Sequence, residues 1–367
     1  MTRIHAPVKQ DRPSLSLELF PPRPGPRASQ TWGALDRLLR ARPDFVSVTY
    51  RPRFVTTAGG PRAAVTGSAP GVEPAPRPTR VHVIQEHNPA EDVVAHVLDR
   101  SEVPLMAHLT CIGYRKRDAV AIVRRFLDMG VRRFLALRGD PPPGVHPSDV
   151  VGELRRAEDL VRVIREVEAE YFDDGARHLE VAVAAYPAEV DHGLGVEILA
   201  AKQAAGADLA ISQVFYDAED YLSLARSCLY SGVSMPILPG IIPLTDLRRL
   251  TRLESLTGVC VPGELRRALN RDGAVGSGPV TRGIDATLNL ATQVLEGGAP
   301  GLHLYTFNRT RPALDVISQL RLGGILTGGH PDREAQREVR RAYLNATPGG
   351  DRRVLHPTHL PGQDDHP

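Results

Sequence analysis

Glu18 stands among Leu17, Leu19 and Phe20 in the run SLSLELFPP. A carboxyl group in apolar surroundings keeps its proton to higher pH than a solvated one, which suits it to act as a general acid near neutrality. The run FLALRGDPPPG, residues 134–144, ends by delivering Arg138 and Asp140 together around Gly139, and Pro141–Pro143 stiffen the turn behind them. Gln213 lies inside ISQVF, where a carboxamide among apolar neighbours needs partners that a ligand can supply. Thr49 with Tyr50, His108 with Thr110, Tyr186, and Tyr305 with Asn308 and Arg309 likewise fall at or just past the ends of apolar runs. Each has a plainer reading. Glu18 suits a strand-end carboxylate paired to an arginine, His108 a hydrogen-bonded core histidine, and Arg138–Gly139–Asp140 a salt-bridged turn. No two histidines or carboxylates stand at ligand spacing on one strand, so a metal site is not expected.

The elements that must position these residues are legible as texture. Eight short apolar runs alternate with longer stretches of helical spacing: Ser14–Phe20, Phe45–Tyr50, Pro104–Cys111, Arg132–Gly139, Leu179–Pro187, Asp208–Phe215, Met235–Ile241 and Leu302–Asn308. Several runs are apolar on both faces, as in parallel strands covered by helices. Between them, Arg115–Met129 carries one stripe of Ala119, Ile122, Val123, Phe126 and Leu127 with Gly130 as a stop. Asp217–Tyr230 and Thr245–Leu256 read as helices with Asp217 and Thr245 as N-caps. Eight such units favour a single (β/α)8 barrel, in which chemistry gathers at the carboxyl ends of the strands. An open doubly wound sheet has the same periodicity, but no G-x-G-x-x-G turn follows a strand here.

The expected organisation is an N-terminal extension at 1–13, the barrel at 14–327 and a polar tail at 328–367. Residues 51–80, dense in Pro, Gly and Ala, read as a long loop, and 262–298 as extra helix in the last unit. The chain has 367 residues, a formal net charge of +2, three lysines and three cysteines. That balance gives no field for nucleic acid or a membrane, and no disulfide framework. With no membrane-length apolar run or signal-peptide core, the expectation is a cytoplasmic protein acting on small molecules, with homo-oligomerisation left open.

LELFPP, FVSVTY, AHLTCIG, LALRGDPP, VAAYP, GADLAISQVFYD, PILPGIIP and HLYTFNR occur in the order seen in methylenetetrahydrofolate reductases, and the chain resembles that family over residues 14–322. The resemblance implies an FAD-carrying barrel of one-carbon metabolism. Hydride from NADH or NADPH would pass through the flavin to 5,10-methylenetetrahydrofolate. Carried over motif by motif, it makes Glu18 the general acid and Asp140 the carboxylate that tunes flavin and pterin. Gln213, Tyr305 and Arg309 become substrate-binding residues. Thr49, Tyr50, His108, Arg138, Gly139, Asp140, Tyr186 and Lys202 become flavin- or nicotinamide-contacting positions. Two departures stand out. The family's glycine-rich loop directly after threonine–tyrosine is displaced here to Ala58-Gly59-Gly60. The connection AEVDHGLGVEILAAKQAAG keeps only Lys202 of the usual flavin-anchoring set, with Asp191 and His192 as candidate replacements. Direct hydride transfer from the nicotinamide without flavin, and a non-catalytic folate- or flavin-binding barrel, are the alternatives. Retention of Glu18 argues against the second, because binding a pterin needs no acid.

Overall fold

The computed structural model describes residues 12–23, 25–26, 28–57, 80–84, 87–270 and 278–326. Its strands are β1 (Ser14–Leu19), β2 (Phe45–Val48), β3 (Arg53–Thr57), β4 (Arg80–Ile84), β5 (Leu105–Thr110), β6 (Arg133–Leu137), β7 (Glu180–Ala185), β8 (Leu209–Ser212), β9 (Ile237–Leu238), β10 (Gly240–Ile241) and β11 (Gly301–Tyr305). The helices are α1 (Ala28–Leu39), α2 (Pro89–Arg100), α3 (Lys116–Asp128), α4 (Ala157–Phe172), α5 (His192–Ala204), α6 (Ala218–Tyr230), α7 (Leu247–Thr257), α8 (Gly263–Asn270), α9 (Pro279–Glu296) and α10 (Thr310–Leu322).

Nine strands pair in parallel in the order β10-β11-β1-β2-β5-β6-β7-β8-β9. β9 and β10 are one stretch divided at Pro239, which has no N–H to give to a ladder. Its carbonyl still accepts the His303 N–H at 2.9 Å. With β9 on β8 and β10 on β11, the ring closes as the eight-position (β/α)8 barrel that the alternation predicts. Strands such as β1 and β8 are buried at every position, the reason their sequence reads as continuous apolar runs rather than alternating ones. α3 buries the stripe expected of it.

The structure differs from the sequence reading in four places. The barrel strands end two to three residues earlier than several apolar runs do, so Tyr50, Arg138, Tyr186 and Gln213 lie on loops rather than on strands. α7 is capped by Asp246, not Thr245; the carboxylate accepts the Arg248 N–H at 2.9 Å, and its charge suits a helix N-terminus better than a hydroxyl does. The stretch read as a loop over 51–80 begins and ends in an antiparallel pair, β3 with β4. β-Branched and aromatic residues at both ends make the ladder, and Val81 bridges to Val150 in the loop after β6. Residues 58–79, which include Ala58-Gly59-Gly60, lie outside the described residues, as do 1–11 and the tail from 327. Finally, the helical stretch over 262–298 is two helices, α8 and α9, and belongs to the seventh unit, between β10 and β11.

Candidate active site at the carboxyl ends of the strands

Glu18, next to last in β1, is 6 % exposed. Its Oε1 accepts the Thr49 hydroxyl at 2.8 Å and lies 3.8 Å from His108 Nδ1. The Thr306 hydroxyl donates to its main-chain carbonyl at 2.6 Å, which ties the strand end to the loop after β11. Burial pushes the carboxyl up to about 7, against the Thr49 hydrogen bond and the Arg51 charge, which pull it down. At neutral pH about half of such a group carries a proton it can give away.

Tyr305 sits beside Glu18 in the β1–β11 register, and its hydroxyl donates to the Ser212 carbonyl at 2.7 Å. That ring occupies the space where a Cβ on Gly240 would stand; one placed there would lie 2.6 Å from the ring and 2.1 Å from the Ser212 oxygen. Glycine at 240 is thus required by this chain's own packing. Gly139 is similar: its φ is +80°, and a Cβ would meet Thr110 and Ile112 at 2.8 Å. At Gly139 it is the chain's own Thr110 and Ile112 that come this close.

The charges just past β6 are placed differently. Arg138 and Asp140 lie 3.8 Å apart with side chains 62 % and 93 % exposed, on the rim and open to whatever enters. Tyr186 is also exposed there, and the Asp140 charge, after burial, raises its hydroxyl. Gln213 is half-buried and accepts the Val214 N–H through its own Oε1 at 3.0 Å. The ring of Tyr50 is buried edge-on against Phe126 of α3, so its bulk serves the wall rather than the mouth.

Arg309 precedes α10 and donates to the Thr245 hydroxyl at 3.3 Å. It shares a shallow, open recess with Arg249, Asp246, Leu244 and Phe307. Burial and the Arg309 charge both lower the Arg249 guanidinium. Asp246, 3.9 Å from Arg249, is the carboxylate that faces the pair in this lining. The recess is walled by an unusual turn: Phe307 and Asn308 both have positive φ, +49° and +57°. Asn308 sustains it by bonding both main-chain groups of Phe20, at 2.9 and 2.7 Å, while Phe307 stacks on Phe20 with centroids 5.2 Å apart. The sequence reading had not singled out Arg249 or Asn308's clamp. Arg249 sits on a helix whose spacing says only which face is exposed.

A sequence profile of the methylenetetrahydrofolate reductase family matches residues 3–321. The chain belongs to that family, and with it to the oxidoreductases. It is 28 % identical over 317 residues to the 5,10-methylenetetrahydrofolate reductase of Escherichia coli, covering 85 % of this chain and 92 % of the relative. It is equally identical over 325 residues to a probable NADPH-type methylenetetrahydrofolate reductase of Caenorhabditis elegans, of which it spans only 44 %. A Clostridium thermocellum protein described as binding two copies of 5-methyl-5,6,7,8-tetrahydrofolic acid shares the fold, with TM-score 0.51 and 12 % identity over 80 % of this chain and 88 % of its own.

FAD is the group the family resemblance brings, and the residues on α5 fit its diphosphate poorly. Lys202 is 5 % exposed, donates to the Ala184 carbonyl at 2.7 Å and stands 5.7 Å from the Tyr186 ring centre. Burial lowers its ammonium, as befits a cation turned into the wall. Asp191 is the N-cap of α5, accepting the Leu194 N–H at 3.0 Å, and puts a negative charge where a phosphate would need the helix terminus. His192 Nε2 lies 2.9 Å from the Pro187 carbonyl. Both candidate replacements are committed to the fold. Among the described residues, no group of three or more His, Cys, Asp and Glu converges as a metal site, and no helix is long and apolar enough to cross a membrane.

Proposed function

We propose that this chain reduces 5,10-methylenetetrahydrofolate to 5-methyltetrahydrofolate with hydride taken directly from NADH or NADPH. The observation that carries the reading is Glu18, a buried carboxyl held near neutrality at the mouth of the barrel of a reductase family. Proton transfer from Glu18 to N10 of the folate breaks the bond between N10 and the methylene carbon, leaving an iminium at N5. Hydride then adds to that carbon, and the 5-methyl product forms with one proton and one hydride consumed. Thr49 orients the carboxyl, and burial among apolar neighbours keeps about half of it protonated at neutral pH, ready for the substrate.

The rim residues bind. Gln213 and Asp140 together offer the donor and acceptor groups that a pterin edge needs. Arg249 and Arg309, two cations against the single carboxylate of Asp246 in one recess, leave a net positive charge that suits the carboxylates of the folate's glutamyl tail. Nothing in this assignment needs a cation on α5.

The test is the visible spectrum of the purified protein, before and after loading with FAD and desalting, beside a folate-dependent NAD(P)H oxidation assay. A colourless protein that oxidises NAD(P)H only with the folate supports direct transfer. A retained flavin that bleaches with NAD(P)H and recovers with folate would replace it by a flavin shuttle. Folate binding without turnover would sink the reductase reading.

A further inference from the structure

The barrel interior has two unlike halves. One is an apolar cluster that includes Phe45, Met106, Leu135, Ile211 and Leu238. The other, below the proposed acid, is polar: Ser16 and Glu18 from β1, Ser47 from β2, His108 from β5 and His303 from β11, all 6 % exposed or less. Barrel interiors are ordinarily filled by branched apolar side chains, so a polar column here is a departure that needs a reason.

The column is not satisfied from within. Ser16 Oγ lies 2.8 Å from His303 Nδ1 and donates to the Leu302 carbonyl at 3.2 Å. His108 Nε2, His303 Nε2 and Ser47 Oγ are buried without a partner among the described residues. A neutral imidazole has one donor and one acceptor nitrogen, and leaving either bare in a dry core is costly. Burial holds both rings neutral, each pushed down to about 3, so charge repulsion does not keep them from sharing a partner. The two rings sense each other electrostatically, and His303 also meets Tyr305 edge-on at 5.1 Å. Ser47 stands beside Glu18 in the β1–β2 register, Ser16 of β1 meets His303, and His108 Nδ1 faces the Glu18 carboxyl, so the residues that carry the orphaned atoms all gather on β1. Sites with several convergent polar atoms and no protein partner are where buried water resides.

We infer that ordered water occupies the barrel axis below Glu18, held by His108 Nε2, His303 Nε2 and Ser47 Oγ, and that it makes His108 a positioning residue for the acid. Water bound at Nε2 stops the imidazole from flipping and keeps Nδ1, rather than a ring carbon, facing Glu18 Oε1 at 3.8 Å. Glu18 is then held by the hydrogen bond from Thr49, just past β2, with the His108 ring of β5 fixed as its polar neighbour. The role differs from the flavin or nicotinamide contact that the resemblance suggests for His108. Its catalytic meaning rests on the reading of Glu18 as the acid; the hydration and the positioning do not.

Two measurements that need no turnover test it. The first is a crystal structure of the full chain at a resolution that shows ordered water. Density within hydrogen-bonding distance of both Nε2 atoms is expected, and a dry interior would overturn the inference. The second is pH-dependent infrared difference spectroscopy, with the Glu18 carboxyl band assigned by its loss in Glu18→Gln. The charged or titratable groups facing Glu18 are Arg51 after β2, which is charged, and His108 on β5 and Tyr305 on β11, which are neutral; all but His108 stay constant in the comparison. His108→Leu should raise the midpoint of the band by about half a pH unit or more, because the ionised carboxylate loses a polar neighbour. His108→Asn, which keeps a polar atom near the Nδ1 position, should restore most of it. An unchanged midpoint in His108→Leu would overturn the positioning role. Should His108→Leu not fold, the water density and the Asn variant decide. A wild type without folate-dependent turnover defeats the proposed function while both readouts still stand.

Discussion

Glu18 and Glu180 are the same residue type, equally buried, and both are pushed up to about 7 by loss of solvent. They sit at opposite ends of the barrel. Glu18 is near the end of β1, with Thr49 as its hydrogen-bond donor and the mouth above it. Glu180 opens β7 at the amino-terminal end, 3.4 Å from Arg133 and near Asp208. A perturbed carboxyl is therefore not by itself a sign of catalysis. Position on the barrel and the partner's charge separate the proposed acid, Glu18, from one half of a buried ion pair.

Exchanging each glutamate for glutamine should break the pair apart most sharply. Glu18→Gln is expected to lower folate-dependent turnover by about 10²–10⁴-fold while the folate still binds, because only the proton donor is lost. Glu180→Gln should leave turnover within about two-fold of wild type but lower stability by about 2–3 kcal/mol, since Arg133 is left unpaired in a largely buried place. Equal loss of turnover in both variants, at matched folding, would erase the distinction.

The glutamates should behave alike in the pH dependence of unfolding. Each holds its proton more tightly folded than unfolded, so its contribution is fully present below pH 4.5 and is lost as pH rises through about 7. The full shift corresponds to about 3 kcal/mol per group as an upper bound. Denaturant titrations should show Glu18→Gln flattening that slope; a slope unchanged from wild type would mean that Glu18 is solvated in the folded chain.

Smaller effects are expected on the rim. Arg249→Gln should raise the KM for the folate about ten-fold with kcat little changed, a loss of about 1.5 kcal/mol typical of a charge-assisted contact. The same variant assayed with a substrate lacking the glutamyl tail should match wild type. Smallest of all, Lys202→Met should change kcat less than about two-fold, because its ammonium serves the wall at Ala184 rather than the mouth. A large drop in activity together with loss of bound flavin would instead restore Lys202 to a cofactor role.

Much of the fold was readable because parallel strands buried on both faces leave apolar runs, and helices between them leave stripes. The hairpin of β3 and β4 escaped notice because its ladder closes across a Pro- and Gly-rich stretch with no periodicity of its own. The site was legible one residue at a time and not as an arrangement. Glu18 was singled out by its apolar neighbours, but the Thr49 donor lies 31 positions away and His108 belongs to another strand. Arg138 and Asp140 arrive together as their spacing implied, yet they remain solvent-exposed while Glu18 is enclosed.

What the sequence alone determined was local: which residues are strand, which stripe is inward, and which polar types end the strands, since these follow from side-chain size and period. Only the closed barrel decided which of those groups lose water. Pairing of β1 with β11 on one side and with β2, itself paired to β5, on the other places Tyr305, Thr49 and His108 around one carboxyl. Closure also turns Lys202 inward and draws Arg249 to Arg309. Desolvation and charge proximity depend on distances through space, and those are set by tertiary packing rather than by order along the chain.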